Sequence, residues 1–211
     1  CNDFVAVKRK IDPLLLALNK KGYLNGHTPF SSYLSFLSVL IAALFGTKYI
    51  VFSNERSANE GNLTYLGQNI NHQYSKSFEF EMDFFQYSRK YLLPDIYCFS
   101  ILRPVYEIKI ARIFSKYPKY FSSFMSCNEA FKSNSGQKKI SGQWCGKCPK
   151  CLFVFTMLYP FLETKDIVKI FGENLFEKKA LLPLLEKLIG KKGFKPFECV
   201  GGKKEVLAGL Y

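Results

Sequence analysis

Hydrophobic and polar positions in the N-terminal half of the chain alternate between helical and strand patterns. After a short helix near residues 13–20, an apolar segment over 30–45 predicts a second helix, which ends at Gly46. Its apolar positions lie almost all round the helix, so we expect it to be buried. A β-branched run over 48–52 predicts an inner strand, and the polar segment 53–62 follows it directly. This order is typical of an α/β sheet, whose ligands bind beyond the carboxyl ends of the strands.

The remaining pattern becomes mainly helical after one more strand. The predicted elements are a helix over 80–91, a strand over 97–102 and helices over 104–116, 149–162, 164–171 and 180–189. The fold class is therefore α/β, with a helical C-terminal part. We predict that residues 1–122 form an α/β domain and that residues 123–211 form a helical region around a cysteine cluster.

The composition of the 211 residues is that of a globular protein, with 48% apolar and 22% charged residues. No apolar run reaches the length of a membrane span, and no segment has the pattern of a signal peptide. Seven cysteines, four of them clustered, suit a reducing compartment better than a disulfide framework. We therefore expect a cytoplasmic protein.

The formal net charge of +13 narrows the choice of partner. A charge of this size favours an anionic partner, such as a nucleic acid, a phosphorylated metabolite or an acidic membrane surface. The alternative is a solvated, lysine-rich surface with no specific partner, because the lysines occur in short separate runs.

A cysteine cluster is the strongest chemical signal in the chain. Cys145, Cys148 and Cys151 are spaced at two-residue intervals, with Gly146 allowing a tight turn, and Cys127 lies 18 positions upstream. Four thiolates that converge at about 2.3 Å from one ion form a structural zinc site. An iron–sulfur cluster is a rival interpretation, and a group of buried free cysteines is another.

The polar segment 53–62 is the second signal, because it follows a predicted strand. Its candidate ligand-binding residues are Ser53, Asn54, Glu55, Arg56, Asn59, Glu60, Gly61 and Asn62. Hydroxyl, amide and carboxylate groups in this position suit a polar ligand or a metal–nucleotide complex. A solvated turn is the alternative.

Single residues offer weaker evidence for chemistry. His27 and His72 are the only histidines, and each lies in a polar cluster; histidine transfers protons near neutral pH, although a lone histidine is more often structural. Arg103 follows a predicted strand and suits a carboxylate or phosphate, or it simply begins a helix. Cys199 lies outside the cluster, where a buried free thiol is its simplest role.

Seven segments of the chain resemble UDP-N-acetyl-α-D-muramoyl-L-alanyl-L-glutamate epimerases. They are Asn25-Gly26-His27, residues 53–62, residues 71–77, Leu102-Arg103-Pro104, Ser126-Cys127-Asn128, residues 144–151 and residues 195–201. The resemblance implies an ATP- and Mg²⁺-dependent inversion of the terminal L-glutamate of UDP-MurNAc-L-Ala-L-Glu, with release of AMP and diphosphate, in peptidoglycan precursor synthesis. It also implies a parallel sheet of the PP-loop ATP-pyrophosphatase (HUP-like) type. The 7-cyano-7-deazaguanine synthases of that type end in a similar cysteine cluster.

The resemblance suggests a role for each group of candidate residues. Adenylation of the glutamate carboxylate would make its α-carbon more acidic, so that a base removes the α-proton and an acid returns it on the other face. Candidates for these proton steps are His27, His72, Tyr74 and Cys199. The segment 53–62 would bind Mg-ATP, and Asn25, Gly26, Lys76 and Arg103 would bind the anionic substrate. We also expect segment 53–62 to line one cleft with Asn25-Gly26-His27, apart from the zinc site.

Two further expectations follow from the resemblance. The glycine- and serine-rich phosphate loop of the family does not occur in these 211 residues, so we expect the chain to be the C-terminal part of the enzyme and inactive alone. The alternative function is a PP-loop or zinc-ribbon protein that modifies or binds RNA through its positive charge and its basic–aromatic runs. A zinc-stabilised scaffold without catalysis is the third interpretation.

Overall fold

Helices and short strands alternate in the N-terminal half of the chain, whereas the C-terminal half is helical. The computed structural model describes residues 4–23, 29–131 and 144–211. Within these ranges the helices are α1 (Pro13–Lys20), α2 (Phe30–Phe45), α3 (Phe78–Tyr87), α4 (Glu107–Phe114), α5 (Asn128–Phe131), α6 (Pro149–Leu158), α7 (Thr164–Phe171), α8 (Leu182–Leu188) and α9 (Lys203–Ala208). The strands are β1 (Tyr49–Phe52), β2 (Leu63–Tyr65), β3 (Gln68–Ile70) and β4 (Tyr97–Ser100).

The two predicted strands pair with each other in parallel, as an α/β arrangement requires. Tyr49 lies opposite Tyr97 and Phe52 opposite Ser100, so β1 and β4 end at the same edge. The Ile101 amide extends the ladder by donating to the Phe52 carbonyl at 3.1 Å. The segments that follow the two strands therefore begin side by side.

A hairpin that the hydrophobic pattern did not predict follows the first of these segments. Strands β2 and β3 pair antiparallel, with Leu63 opposite Ile70. The turn between them holds Leu66 at φ 48° and Gly67 at φ 77°. Leucine is rare in this left-handed region, where Asn-Gly is the usual signal for a tight hairpin, so the turn has no recognisable sequence signature.

Apolar side chains form two buried clusters. The smaller cluster packs α2 and α3 against the parallel strands and contains Val39, Ala42, Phe84, Ile96 and Cys98. The larger cluster surrounds α6, of whose 10 residues seven are buried, and includes side chains of α7, α8 and α9. Ala111 of α4 also belongs to it, so the larger cluster includes an element that precedes residue 122. The predicted boundary at that residue stays a prediction.

The expectation that α2 is buried is wrong within the described ranges. Only Ser35, Val39 and Ala42 are buried, whereas Leu44 is 73% exposed. The physical reason is that the two-stranded sheet and α3 cover one stripe of the helix and leave its other apolar faces open. The strand residues Tyr49, Val51 and Phe99 are likewise exposed. None of the helices in these ranges is both long and apolar enough to cross a membrane.

Candidate functional site

The polar segment 53–62 lies between two cavities. The larger cavity, of about 650 Å³, is lined mainly by polar and charged side chains: Arg56, Ser57, Asn59, Glu60, Glu79 and Arg103, with Phe78 and Tyr106. The smaller, of about 350 Å³, is lined mostly by apolar side chains of α4 and α6, together with Ser53, Glu55, Glu107, Ser126 and Lys150. Both begin where β1 and β4 end, which is the edge at which α/β sheets bind ligands.

Arg103 holds the two strand-end segments together. Its Nη1 atom donates to the carbonyl oxygens of Glu55 at 3.3 Å and of Lys76 at 3.0 Å. Its Nη2 atom forms an ion pair with Oε2 of Glu81, and the Ser100 hydroxyl donates to the same carboxylate. The guanidinium therefore positions the polar segment, and its proposed contact with substrate stays a prediction.

The amide side chains of the segment form hydrogen bonds within the protein. Asn54 donates to the Ser100 hydroxyl at 3.1 Å, and Asn59 donates to the Arg56 carbonyl at 2.9 Å. A Cβ atom at Gly61 would lie 1.7 Å from Oδ1 of Asn69, so a side chain at this position would displace the Asn69 amide. The segment can recognise a ligand through the charged side chains of Glu55 and Arg56, and through Glu60, whose carboxylate also accepts from the Lys203 amide at 3.1 Å.

Asn62 joins three segments that are far apart in sequence. Its Nδ2 atom donates to the Pro196 carbonyl at 2.8 Å, and its Oδ1 atom accepts from the His72 amide at 2.8 Å. The His72 ring meets the Phe197 ring edge-to-face, with 6.0 Å between centroids. The structure thus brings together segments 53–62, 71–77 and 195–201, which the sequence had singled out separately.

Lys76 and Cys199 are in direct contact at this junction. The Lys76 ammonium lies 3.4 Å from the Cys199 sulfur, and the thiol side chain is half-buried. Cys199 is therefore placed beside a cation. The contact makes Cys199 a suitable candidate for proton transfer.

Tyr74 occupies a different environment. Its side chain is 44% exposed, and its hydroxyl donates to the Glu79 carboxylate at 3.4 Å. Desolvation, together with the carboxylates of Glu79 and Asp83, raises the pKa of the Tyr74 phenol above its usual value. The phenol therefore keeps its proton at neutral pH and suits the role of an acid rather than a base.

Three predicted site residues, Asn25, Gly26 and His27, lie outside the described ranges. The predicted cleft between them and segment 53–62 lies outside those ranges as well. Their assignment to substrate binding and proton transfer stays a prediction.

Three carboxylates, of which the sequence had singled out only Glu60, gather around Gly201 and Gly202. A Cβ atom at Gly201 would lie 2.7 Å from Oε2 of Glu107 and 2.8 Å from Oε2 of Glu205. A Cβ atom at Gly202 would lie 2.3 Å from Oε2 of Glu60. The two glycines therefore allow three carboxylates from distant parts of the chain to approach one stretch of backbone.

Lys195 supplies a deeply buried positive charge to this group. Its side chain is 1% exposed, and its ammonium lies 3.9 Å from Oε1 of Glu60. No hydrogen-bond partner for the ammonium is found among the residues that the structure describes. Burial lowers the pKa of Lys195, against the opposing effect of the carboxylates of Glu60, Glu107 and Glu205. Lys195 begins the motif 195–201, so that motif was the available signal for it.

Glu107 has the most perturbed carboxyl of the group. Desolvation in its enclosed position raises the pKa of Glu107 to about 7. Lys150 opposes this shift from 3.6 Å, and the carboxylates of Glu55 and Glu205 reinforce it. The sequence offers no signal for Glu107, because its surroundings come from elements that are distant along the chain.

The four predicted cysteine ligands converge. The sulfurs of Cys127, Cys145, Cys148 and Cys151 all lie within 4.8 Å of one another. The Cys148 and Cys151 sulfurs are 3.5 Å apart, and those of Cys145 and Cys151 are 3.7 Å apart. A tetrahedron with zinc–sulfur bonds of about 2.3 Å has sulfur–sulfur edges of about 3.8 Å, so the donor set fits this ion closely.

Backbone amides and helix geometry orient the thiols. The Cys145 amide points to the Cys127 sulfur at 3.5 Å, and the Cys151 amide to the Cys148 sulfur at 3.4 Å. Cys148 caps the N-terminus of α6, with Pro149 in its first turn. Cys127, Cys148 and Cys151 are buried, so the centre belongs to the larger core cluster and offers little access to a substrate.

Comparisons with known proteins identify the family of the chain. The family model of the MurL N-terminal domain matches residues 2–101, and that of the MurL C-terminal domain matches residues 123–211. No solved structure matches the chain.

Curated relatives cover nearly the whole chain. The UDP-N-acetyl-alpha-D-muramoyl-L-alanyl-L-glutamate epimerase of Salinispora tropica is 42% identical over 207 residues, which are 98% of this chain and 44% of that protein. Proteins of the same name from Xanthomonas oryzae pv. oryzae and a Micromonospora species are each 40% identical, over 94% and 98% of this chain. The chain covers 44% and 45% of their respective lengths, so it spans less than half of each relative. Both family models and these relatives show that the chain belongs to the MurL family of UDP-N-acetyl-α-D-muramoyl-L-alanyl-L-glutamate epimerases.

Proposed function

We propose that this chain contributes to an enzyme that inverts the terminal L-glutamate of UDP-MurNAc-L-Ala-L-Glu to D-glutamate. The observation that carries the proposal is the 40–42% identity to proteins of that name over 94–98% of the chain. Because the chain spans less than half of their length, the activity is proposed for a protein that includes the rest of the family's length. The product would serve peptidoglycan synthesis in the cytoplasm, a location that suits the free cysteines of the described ranges.

ATP would activate the reaction. The α-proton of a glutamate beside a free carboxylate is hard to remove, because a dianion would form. Transfer of AMP to that carboxylate, with release of diphosphate, makes the α-carbon more acidic, and later hydrolysis releases AMP. Arg56 and Arg103 line the larger cavity and supply positive charge suited to phosphate and carboxylate groups, while Glu55 and Glu60 supply oxygen ligands of the kind that Mg²⁺ prefers.

The fold proposed for the longer protein is a parallel sheet of the PP-loop ATP-pyrophosphatase type. Three observations support it: the parallel pairing of β1 with β4, the polar segments at their carboxyl edge, and the exposed apolar faces of α2 and the strands. Purely parallel sheets are normally covered on both faces, which a larger sheet with further helices would provide.

Zinc is the metal that we propose for the four-cysteine centre. All four positions of a tetrahedron are filled by protein sulfur, which leaves no open position for catalysis. The ion would therefore stabilise the C-terminal helical region by tying Cys127 to the turn before α6.

The decisive experiment measures inversion in deuterated water. A protein of the family's full length that contains this chain should convert the terminal L-glutamate to D-glutamate only with ATP and a divalent cation. The product should carry deuterium at the glutamate α-carbon, because the proton leaves and a solvent-derived one returns. The 211-residue chain alone serves as the control and should be inactive. Inversion without ATP would contradict the mechanism, and RNA binding that falls steeply with salt would favour the alternative function.

A further inference from the structure

The smaller cavity offers a different kind of site from the polar larger one. It begins at Ser53, directly after β1, and is enclosed largely by apolar side chains of α4 and α6, such as Ile110 and Phe153. Only a few polar groups reach it, and Glu107 is one of them. A concave apolar site with a few convergent polar groups is the usual form of a small-molecule site.

The Glu107 side chain is largely buried but still lines the smaller cavity. About a fifth of its side chain, 22%, is exposed, and the side chain lines the cavity. Its carboxylate also lies against the backbone at Gly201, where a Cβ atom would come within 2.7 Å of it. The Glu107 side chain thus lies between the backbone at Gly201 and the cavity.

The charges that act on Glu107 come from every element packed around it. They are Lys150 of α6, Glu55 of the segment after β1, Glu205 of α9, Lys76 of the turn before α3 and Lys195 of the 195–201 motif. Carboxylates and ammonium groups oppose one another, and desolvation outweighs the ammonium groups. Such an environment makes both the protonated and the ionised form accessible near neutral pH.

We propose that Glu107 is a catalytic acid–base residue that exchanges the α-proton of the substrate's terminal glutamate in the smaller cavity. The inference rests on the proposed function and goes beyond it by assigning the proton step to a residue outside every recognised motif. Lys150, 3.6 Å from Glu107, would hold the carboxylate in position and offer a positive charge to the anionic amino-acid end of the substrate.

The step balances as a simple proton transfer. The Glu107 carboxylate takes the proton from the α-carbon of the activated glutamate, so that a carbon–hydrogen bond breaks and an oxygen–hydrogen bond forms. The electron pair of the broken bond moves onto the activated acyl carbonyl. Inversion requires a second group to return a proton on the opposite face, with the electron pair returning to the α-carbon.

Cys199, which does not itself line the smaller cavity, is our candidate for that second group. Lys76 donates to the Cys199 sulfur at 3.4 Å and is also among the charges that act on Glu107. Lys76 therefore joins the two groups electrostatically. In the reverse direction, from D- to L-glutamate, their roles as base and acid exchange.

The test separates proton transfer from activation in a full-length protein that contains this chain. Glu107→Gln should lower inversion and α-deuterium incorporation by about 100-fold or more, the usual effect of losing a general base. ATP-dependent release of diphosphate should still occur, because activation precedes the proton step. Glu107→Asp should retain part of the activity, and its kcat/KM should still fall as the pH is lowered. Glu107→Gln should lose this fall at acid pH. The exposed Glu163→Gln variant is the matched control and should leave every readout unchanged.

The possible outcomes test the role of Glu107 and the proposed function separately. An active parent with an equally active Glu107→Gln variant would overturn the role of Glu107 and leave the proposed function intact. Equal loss of diphosphate release and inversion in that variant would also overturn it, since this pattern indicates a structural role. A parent with no ATP-dependent inversion would overturn the proposed function and the inference together.

Discussion

Arg103 and Glu81 form a largely buried ion pair, in which Nη2 lies 2.6 Å from Oε2. Arg103 follows β4 and Glu81 lies on α3, so the pair joins a strand end to the helix that packs beside it. The same guanidinium binds the carbonyls of Glu55 and Lys76. One arginine thus fixes the backbone from which the candidate ligand-binding groups project.

Replacing Arg103 should lower the free energy of unfolding. Arg103→Met leaves the Glu81 carboxylate, whose side chain is 11% exposed, without its counter-charge, and breaking a buried pair from one side costs about 3–5 kcal/mol. The free energy of unfolding, measured by urea denaturation, should fall by this amount. Lys165→Ala is a matched control, because Lys165 and Glu163 are also 2.6 Å apart but are 69% and 72% exposed. That exposed pair should contribute less than about 1 kcal/mol, and equal losses in both variants would contradict the structural role of Arg103.

Metal removal should unfold part of the chain rather than all of it. The purified protein should contain one equivalent of zinc, and Cys148→Ser or Cys151→Ser should lose it, because both sulfurs belong to the converging set. Chelation should lower the melting temperature of the C-terminal helical region, since α6 carries one ligand and forms the middle of its core. Cys199→Ser should keep the full equivalent of zinc. Iron in place of zinc, visible as a coloured protein, would favour a cluster instead.

The elements that the sequence predicted well are those whose signals are local. The strands over 48–52 and 97–102 were found as β1 and β4, and the helix over 164–171 was found with its predicted limits. Helix α4 begins at Glu107 rather than at 104, because a turn with a Val105-to-Leu102 hydrogen bond follows β4. The predicted helix over 80–91 was also found, although it begins at Phe78 and ends in a π turn over Ser88–Leu92.

In the candidate site, too, the residues with a local sequence signal were predictable and the others were not. The metal ligands were predictable because spacing alone brings Cys145, Cys148 and Cys151 together, as a turn before a helix requires. Glu107 and Lys195 were not predictable, because their perturbation comes from burial among groups that are up to 135 residues away, as Glu60 is from Lys195. Burial of a charged residue is a property of tertiary structure, and a hydrophobic pattern gives no signal for it.

The stability of the chain should depend on pH through Glu107. Its pKa is about 7 in the folded chain, against an ordinary value of 4.5, so the folded state binds the proton more tightly between these values. The sign follows from linkage: the contribution is complete below pH 4.5, falls as pH rises to 7 and is constant above that. The loss amounts to at most about 3 kcal/mol. Urea denaturation at several pH values should show this slope in the parent and in Glu163→Gln but not in Glu107→Gln; equal slopes in all three would contradict it.

Substrate recognition should depend on Arg56 in the full-length protein. Its guanidinium lies over the Tyr106 ring, 5.0 Å from the centroid, and lines the larger cavity together with Arg103. Stacking leaves the planar edge of the guanidinium available to a phosphate or carboxylate, which it binds through paired hydrogen bonds. Loss of a hydrogen bond to a charged group costs about 1.5–3 kcal/mol, so Arg56→Ala should raise KM for ATP or for the UDP-linked substrate by about 10- to 100-fold. Arg56→Lys should recover only part of the loss, because an ammonium cannot form the paired contact.

Arg112→Ala, which removes an exposed arginine from the last turn of α4, is the control and should leave KM unchanged. Steady-state kinetics with each substrate varied in turn identifies the ligand, and equal KM values for Arg56→Ala and the parent would show that the larger cavity binds neither.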